Sequence, residues 1–320
     1  MKGFAASLRL DDSRKWWPDY LFRSDHVCNA AKILNSGELL SRVAAEDGRL
    51  IVKDSASNAH INELAPWQRK LVRLYFRPRT PTQYRNEGIR PDGKIWNGAH
   101  MPVPVYLLFN SSLLQEQGVK FSRGRLTGES QLGQTSGDLA GMDFKAIYHD
   151  GSVGVLGTPG RSDILFARLA EVLVPDRLPF DRLKFIACRS EAERDTLLAL
   201  LNRNVRKRWI SKVVVDKGHR RLFYKQGTFV QSAHLTEQEA RFAFYHYISR
   251  EMLGPFSVRV EWVSRNKRWA QDYRDFMVGG DPVVFPIPGD VDLGDYWVQL
   301  SLNGDTAYIG HFDSRAADVF

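Results

Sequence analysis

Residues 164–189, ILFARLAEVLVPDRLPFDRLKFIACR, constrain the fold more than any other stretch of the chain. Leu169, Val172, Leu173 and Val174 form an apolar, β-rich run, Pro175 and Pro179 end it, and Leu183, Phe185, Ile186 and Ala187 begin another. The spacing predicts strand, turn, short helical turn, strand. Glu171 stands inside the first run. A carboxylate desolvated there without a partner is costly, so it is either ion-paired at a strand edge or put to chemical use.

Length and composition narrow the class. A chain of 320 residues buries a full core and has room for two domains. No apolar run approaches the roughly 18 residues of a membrane span, so no membrane association is expected. The first twenty residues carry acidic side chains where an export signal keeps its apolar centre, which points to the cytoplasm. Cys28 and Cys188 lie in no CxxC or Cys/His cluster, so reduced thiols and no metal site are expected. The formal net charge of +8 suits a polyanionic partner and is also within the range of an ordinary soluble surface.

In chain order, residues 20–27 read as a strand that turns into a helix with Ala30, Ala31, Ile33 and Leu34 on its apolar face and Gly37 as its C-terminal cap. The polar cluster Arg23, Ser24, Asp25 and His26 sits at that strand-to-helix junction, where free backbone N–H groups favour phosphate or amide ligands. A capped helix beside a solvated loop is the plainer reading. Residues 71–85 run from an aromatic strand into a turn in which Pro78 and Pro81 fix the backbone around Arg79 and Thr80. Arg79 beside Tyr75 and Tyr84 would offer charge to a phosphate and faces to a ring, unless this is merely a surface turn. Residues 103–110 are the cleanest buried strand. Residues 122–163 are rich in Gly, Ser, Thr and Asp and read as a recognition loop leading to Glu171.

The remainder predicts a smaller α+β domain. Residues 190–209 read as one amphipathic helix, followed by strands at 210–215 and 222–224. A helix is expected at 236–252 with Thr236 as N-cap, then strands at 256–263, 283–285, 296–302 and 307–312, the last two joined by the hairpin turn Asn303-Gly304-Asp305. Basic residues crowd 203–225, opposed only by Asp216. The expected division is 1–202 and 203–320. No repeat, P-loop or dinucleotide glycine fingerprint is present.

Three separated segments, in order, resemble the DarT family of toxins, which attach ADP-ribose from NAD to DNA bases. A strand-to-helix segment of the family is matched by Phe22, His26, Asn29, Ile33, Leu34, Gly37 and Leu39, with Arg23 and Asp25 standing where the family has histidine and threonine. Its proline-punctuated signature is matched by Val72, Tyr75, Phe76, Pro78, Arg79, Thr80, Pro81 and Tyr84, and its glutamate-bearing strand by residues 170–174. The resemblance covers about residues 20–201. It implies an ADP-ribosyltransferase fold, α+β with a mixed, mainly antiparallel sheet core and helices. It also implies NAD as co-substrate with no metal, single-stranded DNA as substrate, and a cognate antitoxin that reverses or blocks the modification. Glu171 would be the catalytic glutamate, and Arg23, Ser24, His26, Asn29, Tyr75, Arg79 and Tyr84 would bind NAD. The family's helical arginine pair has no counterpart in SNAHINELAP, residues 57–66. Arg23, Arg69, Arg73 or Arg79 could take over, Arg23 being the first candidate for a catalytic role. RNA or protein as target, and an inactive nucleic-acid-binding relative, stand as alternatives.

Overall fold

The computed structural model describes residues 8–52, 64–126, 132–154, 157, 160–217, 220–265, 267–287 and 294–314. Its first part is organised by one eight-stranded sheet. In chain order the strands are β1 (Tyr20–His26), β2 (Glu38–Leu40), β3 (Leu71–Tyr75), β4 (Pro104–Asn110), β5 (Lys120–Ser122), β6 (Leu132–Gly133), β7 (Glu171–Pro175), β8 (Arg177–Pro179), β9 (Leu183–Cys188) and β10 (Val213–Val215). All but β2 and β8, which pair with each other, join the large sheet in the order β10-β9-β4-β1-β3-β7-β5-β6. Every pairing in it is antiparallel except β9 with β10.

The apolar runs explain the centre. In β4 every residue but Asn110 is buried, as a strand covered on both faces requires. Helix Val27–Ser36 lays Val27, Ala30, Ala31, Ile33 and Leu34 on the sheet. His26 caps its first turn by accepting from Cys28 N, and Gly37, at φ +88°, closes its last. Trp17, Phe22, Phe76, Phe109, Phe144 and Trp209 are fully or almost fully buried in the core thus formed. The polar stretch 122–163 is partly folded onto that core: Met142, Phe144, Ile147 and Tyr148 belong to it.

The second part consists of sheets: β11 (Val230–Leu235), β12 (Glu239–Phe244), β13 (Phe256–Ser264), β14 (Arg268–Phe276), β15 (Val283–Pro286), β16 (Tyr296–Leu302) and β17 (Asp305–Phe312). They form a three-stranded sheet, β11-β12-β15, and a four-stranded one, β14-β13-β16-β17. Phe242 packs across on Tyr308 and Phe244 on Phe276, with ring centroids 5.3 and 6.1 Å apart.

Four local expectations are corrected. The helix expected at 236–252 is instead β12, because Ala240, Phe242 and Phe244 point inward at period two. Thr236 caps a turn rather than a helix, its Oγ1 accepting from Gln238 N at 3.2 Å and Glu239 N at 3.1 Å. The single helix expected at 190–209 is broken into Glu191–Leu200 and Arg203–Trp209, since Leu201 turns extended, at ψ 138°, and buries its side chain. Residues 210–212 form a helical turn, and the strand begins only at Val213. Residues 222–224 form no strand, because their backbone is held by carboxylates: Leu222 N donates to Asp216 at 2.9 Å and Tyr224 N to Glu87 at 2.9 Å. β11 and β14 are additional, and β14 is a polar, largely exposed sequence with little strand signature.

The boundary expected at residue 203 cuts through the large sheet, because β10 pairs with β9 and Leu222 and Phe223 pack in the first core. We place the division at 224–229 instead. The two parts are joined by a buried ion triad. Arg189 lies between Glu87, at 3.4 Å, and Glu193, and all three side chains have 0% exposure. Glu87 also accepts from Tyr224 N and Lys225 N at 2.9 and 2.7 Å. Beside it Ile89 and Thr228 exchange backbone hydrogen bonds of 2.9 Å in both directions. Among the described residues no helix is long and apolar enough to cross a membrane.

Candidate active site

The middle strands β1, β3 and β7 carry the site. In β3 the period of two puts Arg73 and Tyr75 on one face, and the register sets Tyr75 directly opposite Glu171, the first residue of β7. Glu171 is therefore in the sheet interior and not at an edge. Its backbone N–H is held by Ser122 Oγ of β5 at 3.2 Å, and the residue is only 4% exposed.

Its carboxylate is incompletely satisfied. Arg73 Nε stands 3.6 Å from Oε2, beyond hydrogen-bonding distance, and Oε2 has no hydrogen-bond partner. Arg73 Nε and Nη2 have none either, although the side chain is 15% exposed. Burial raises the Glu171 pKa above the usual carboxylate range; the Arg73 charge, a hydrogen bond from Tyr75, and the charges of Arg23 and Arg125 oppose this without cancelling it. Burial and the neighbouring carboxylate likewise raise the Tyr75 phenol. Buried donors and an acceptor left open beside one another are where a charged ligand completes the hydrogen bonding.

A cavity of about 230 Å³ opens beside Arg73 and Tyr75, and Glu171 itself stands behind them, outside its lining. Arg23, Ser24, Asp25 and Asn29 form one wall, Arg73 and Tyr75 another, and Thr80, Gln83, Asn86 and Met101 a third. Asp25 organises the first wall, accepting from Arg23 Nη2 at 2.8 Å, His26 N at 3.0 Å and Asn29 Nδ2 at 2.9 Å. Asn29 Oδ1 in turn accepts from Val52 N at 2.8 Å. His26 is buried as the helix cap. The junction read from the sequence as a ligand site or a capped helix is a capped helix, and its Arg23, Ser24, Asp25 and Asn29 line the cavity.

Other expected residues lie elsewhere. Arg79, at φ +55°, turns away from the cavity, binds Asp150 at 2.8 Å and lies 4.4 Å over the Tyr224 ring. Arg77 and Arg221 meet the same carboxylate at 2.8 and 3.3 Å. Tyr84 is half exposed and packs edge-on against Tyr224. Arg69 pairs with Glu46 at 2.6 Å. Of the four arginines open from sequence, Arg73 is beside Glu171, Arg23 is in the cavity wall, and Arg69 and Arg79 are engaged with other carboxylates.

Sequence reasoning missed Ser122, which anchors Glu171, and Gln83 and Asn86, which face the cavity. Thr80, as the N-cap before Pro81, signals the short helix Pro81–Asn86 that carries the latter two. Residues 57–63, where the family's arginine pair would fall, and residues 127–131, 155–156 and 158–159 of the polar loop lie outside the described residues.

A family model described as "ssDNA thymidine ADP-ribosyltransferase, DarT" matches residues 22–221, which include both the cavity and Glu171. Solved structures with similarity include Thermus sp. 2.9 DarT in complex with NAD+, at 18% identity and TM-score 0.47, covering 65% of this chain and 98% of that one. The same protein in complex with ADP-ribosylated ssDNA gives 20% identity and TM-score 0.49, covering 65% and 97%. Thermosipho africanus DarTG in complex with ADP-ribose gives 17% identity and TM-score 0.46, covering 67% and 52%. No curated protein matches the chain. With well over half of its length, cavity included, inside the family match, the chain belongs to the DarT family of ssDNA thymidine ADP-ribosyltransferases.

Proposed function

We propose that this chain transfers ADP-ribose from NAD to thymidine in single-stranded DNA, with Glu171 as the catalytic carboxylate and Arg73, rather than Arg23, as the arginine beside it. The observation that carries the assignment is the unsatisfied Glu171 Oε2 next to the unsatisfied donors of Arg73 at the cavity. Ser24, Asn29 and Tyr75 would line the NAD site, and Arg23, held by Asp25, would lend charge to the diphosphate. His26 supports that wall as the cap of helix Val27–Ser36. Arg79 and Tyr84 would act at most indirectly, through the turn that holds Thr80 and Gln83.

The chemistry follows from these positions. The bond from the ribose anomeric carbon to the nicotinamide nitrogen breaks, and nicotinamide leaves with the bonding pair. The ribosyl cation left behind is stabilised by the Glu171 carboxylate, as in glycoside hydrolysis. Thymine attacks that carbon, and its ring N–H proton passes to Glu171. A raised pKa makes the carboxylate a stronger base for this step. The base must be unstacked to reach the cavity, which suits a single strand. Membership in the family carries the further expectation of a toxin acting in the cytoplasm and restrained by a cognate antitoxin.

Labelled NAD supplied with DNA, RNA or protein tests the reading. Label should enter single-stranded DNA, and both Glu171→Ala and Arg73→Ala should reduce transfer roughly 10²- to 10³-fold in folded protein. Label in protein or RNA alone would overturn the DNA assignment. More than a tenth of the activity remaining in Glu171→Ala would overturn its role, and an Arg23→Ala loss far exceeding that of Arg73→Ala would exchange the arginines.

A further inference from the structure

Residues 87–101 leave the cavity wall and return to it. Asn86 and Met101 both line the cavity; Met101 N donates to Asn86 O at 2.7 Å, and Gly88 N donates to Met101 O at 3.0 Å. Between these ends, Trp96-Asn97-Gly98-Ala99 closes a tight turn, with Asn97 and Gly98 at φ +48° and +70° and Ala99 N donating to Trp96 O at 2.9 Å. Positive φ at both central positions is the turn for which Asn-Gly is preferred. It holds Trp96 out at 44% exposure, part of neither hydrophobic core, with the Arg85 guanidinium 4.1 Å from its ring centroid. Arg85 is the neighbour of Asn86 on helix Pro81–Asn86, and it makes no ion pair among the described residues.

This segment is braced from outside the family-matched range. Asn303 donates to Asp92 at 3.1 Å, Lys94 pairs with Glu251 at 2.6 Å, and His100 Nδ1 stands 2.9 Å from Asp305. With the Ile89–Thr228 pair, four positions of the segment are tied to residues beyond 221. A large ring kept in solvent by a tight turn, with a cation upon it, on a segment whose flanking residues Asn86 and Met101 line the cavity, supplies what an unpaired base and its phosphate require. Such a pair would take a base on the indole and the adjoining phosphate on the guanidinium.

We propose that Trp96 and Arg85 form a stacking site for an unpaired nucleobase flanking the modified thymidine, and that the C-terminal sheets hold this site in position. The proposal rests on the DNA reading above. The test is ADP-ribosylation of single-stranded oligonucleotides by the full chain at saturating NAD. Substrates are either intact or carry one abasic residue at each position within two nucleotides of the target. Trp96→Ala should raise the KM for the intact oligonucleotide roughly 10- to 100-fold, whereas Trp96→Phe, which keeps a stacking face, should stay within about fivefold of wild type. The KM for NAD should change less than twofold in either, which separates the site from a collapse of the cavity. One abasic position should weaken the wild type by the same factor and leave Trp96→Ala no weaker. An unchanged oligonucleotide KM in Trp96→Ala overturns the site while leaving the DNA reading intact, and so does an abasic loss as large in the variant as in the wild type. A wild-type protein that consumes NAD and modifies none of the oligonucleotides overturns both.

Discussion

In the proposed reaction Glu171 is the residue on which the chemistry turns, and its burial makes that chemistry depend on pH. The folded carboxyl holds its proton to a higher pH than an exposed glutamate, whose pKa is about 4.3. The acid limb of kcat/KM should therefore lie above about 4.3, and a limb at or under about 4 would mean that some other group titrates. Linkage fixes the sign for stability. A group whose folded pKa is raised favours the folded state below its unfolded pKa, and that contribution is lost as pH rises through the folded value. Glu171→Gln should accordingly melt at a higher temperature than wild type at pH 7, with the gap closing near pH 4. Equal melting temperatures at pH 7 would show that Arg73 and Tyr75 fully offset the burial.

Among the local segments, the junction around Gly88, between the bridges at Glu87 and Ile89, leaves little room for change. Gly88 has φ +86°, and a Cβ there would come within 2.6 Å of Gly227 Cα, a backbone atom that no rotamer change can move aside. Gly88→Ala should cost on the order of 3 kcal/mol from the positive φ and the clash together, measured as a lowered denaturation midpoint; a loss under about 0.5 kcal/mol would show that the junction can shift. Gly88 has no motif to mark it, unlike Glu171, which was legible because a carboxylate interrupted an apolar run. β1, β3, β4, β7 and β9 were readable for the same reason, being long apolar or alternating runs in the sheet's centre. Residues 236–252 misled because Glu, Gln, Ala and Arg favour a helix along the chain, while the alternation of Ala240, Phe242 and Phe244 records what the opposite sheet buries. Arg73 could not be separated from three other arginines in sequence, since its place beside Glu171 is a matter of cross-strand register.

Across the whole molecule the excess of positive charge is gathered between residues 203 and 225. Arg203, Arg206, Lys207, Arg208, Lys212, Lys217 and Arg220 are exposed there, whereas Arg221 is drawn to Asp150. Neutralising Arg206, Lys207, Arg208 and Arg220 together should weaken single-stranded DNA binding for every sequence and lower the log–log salt slope by up to about 0.7 per residue, without altering which base is modified. Unaltered affinity at low salt would mark the run as a solvated face. The buried triad of Glu87, Arg189 and Glu193 sets a different rule for the molecule. Its members come from the first part, yet Glu87 is completed by the backbone at residues 224 and 225, and Phe229 lies against Arg189 at 4.0 Å. An exchange of the C-terminal sheets for an unrelated module would leave this charge without part of its enclosure. A graft at this seam would therefore have to rebuild the enclosure around Glu87 and Arg189 before the first part could fold as it does here.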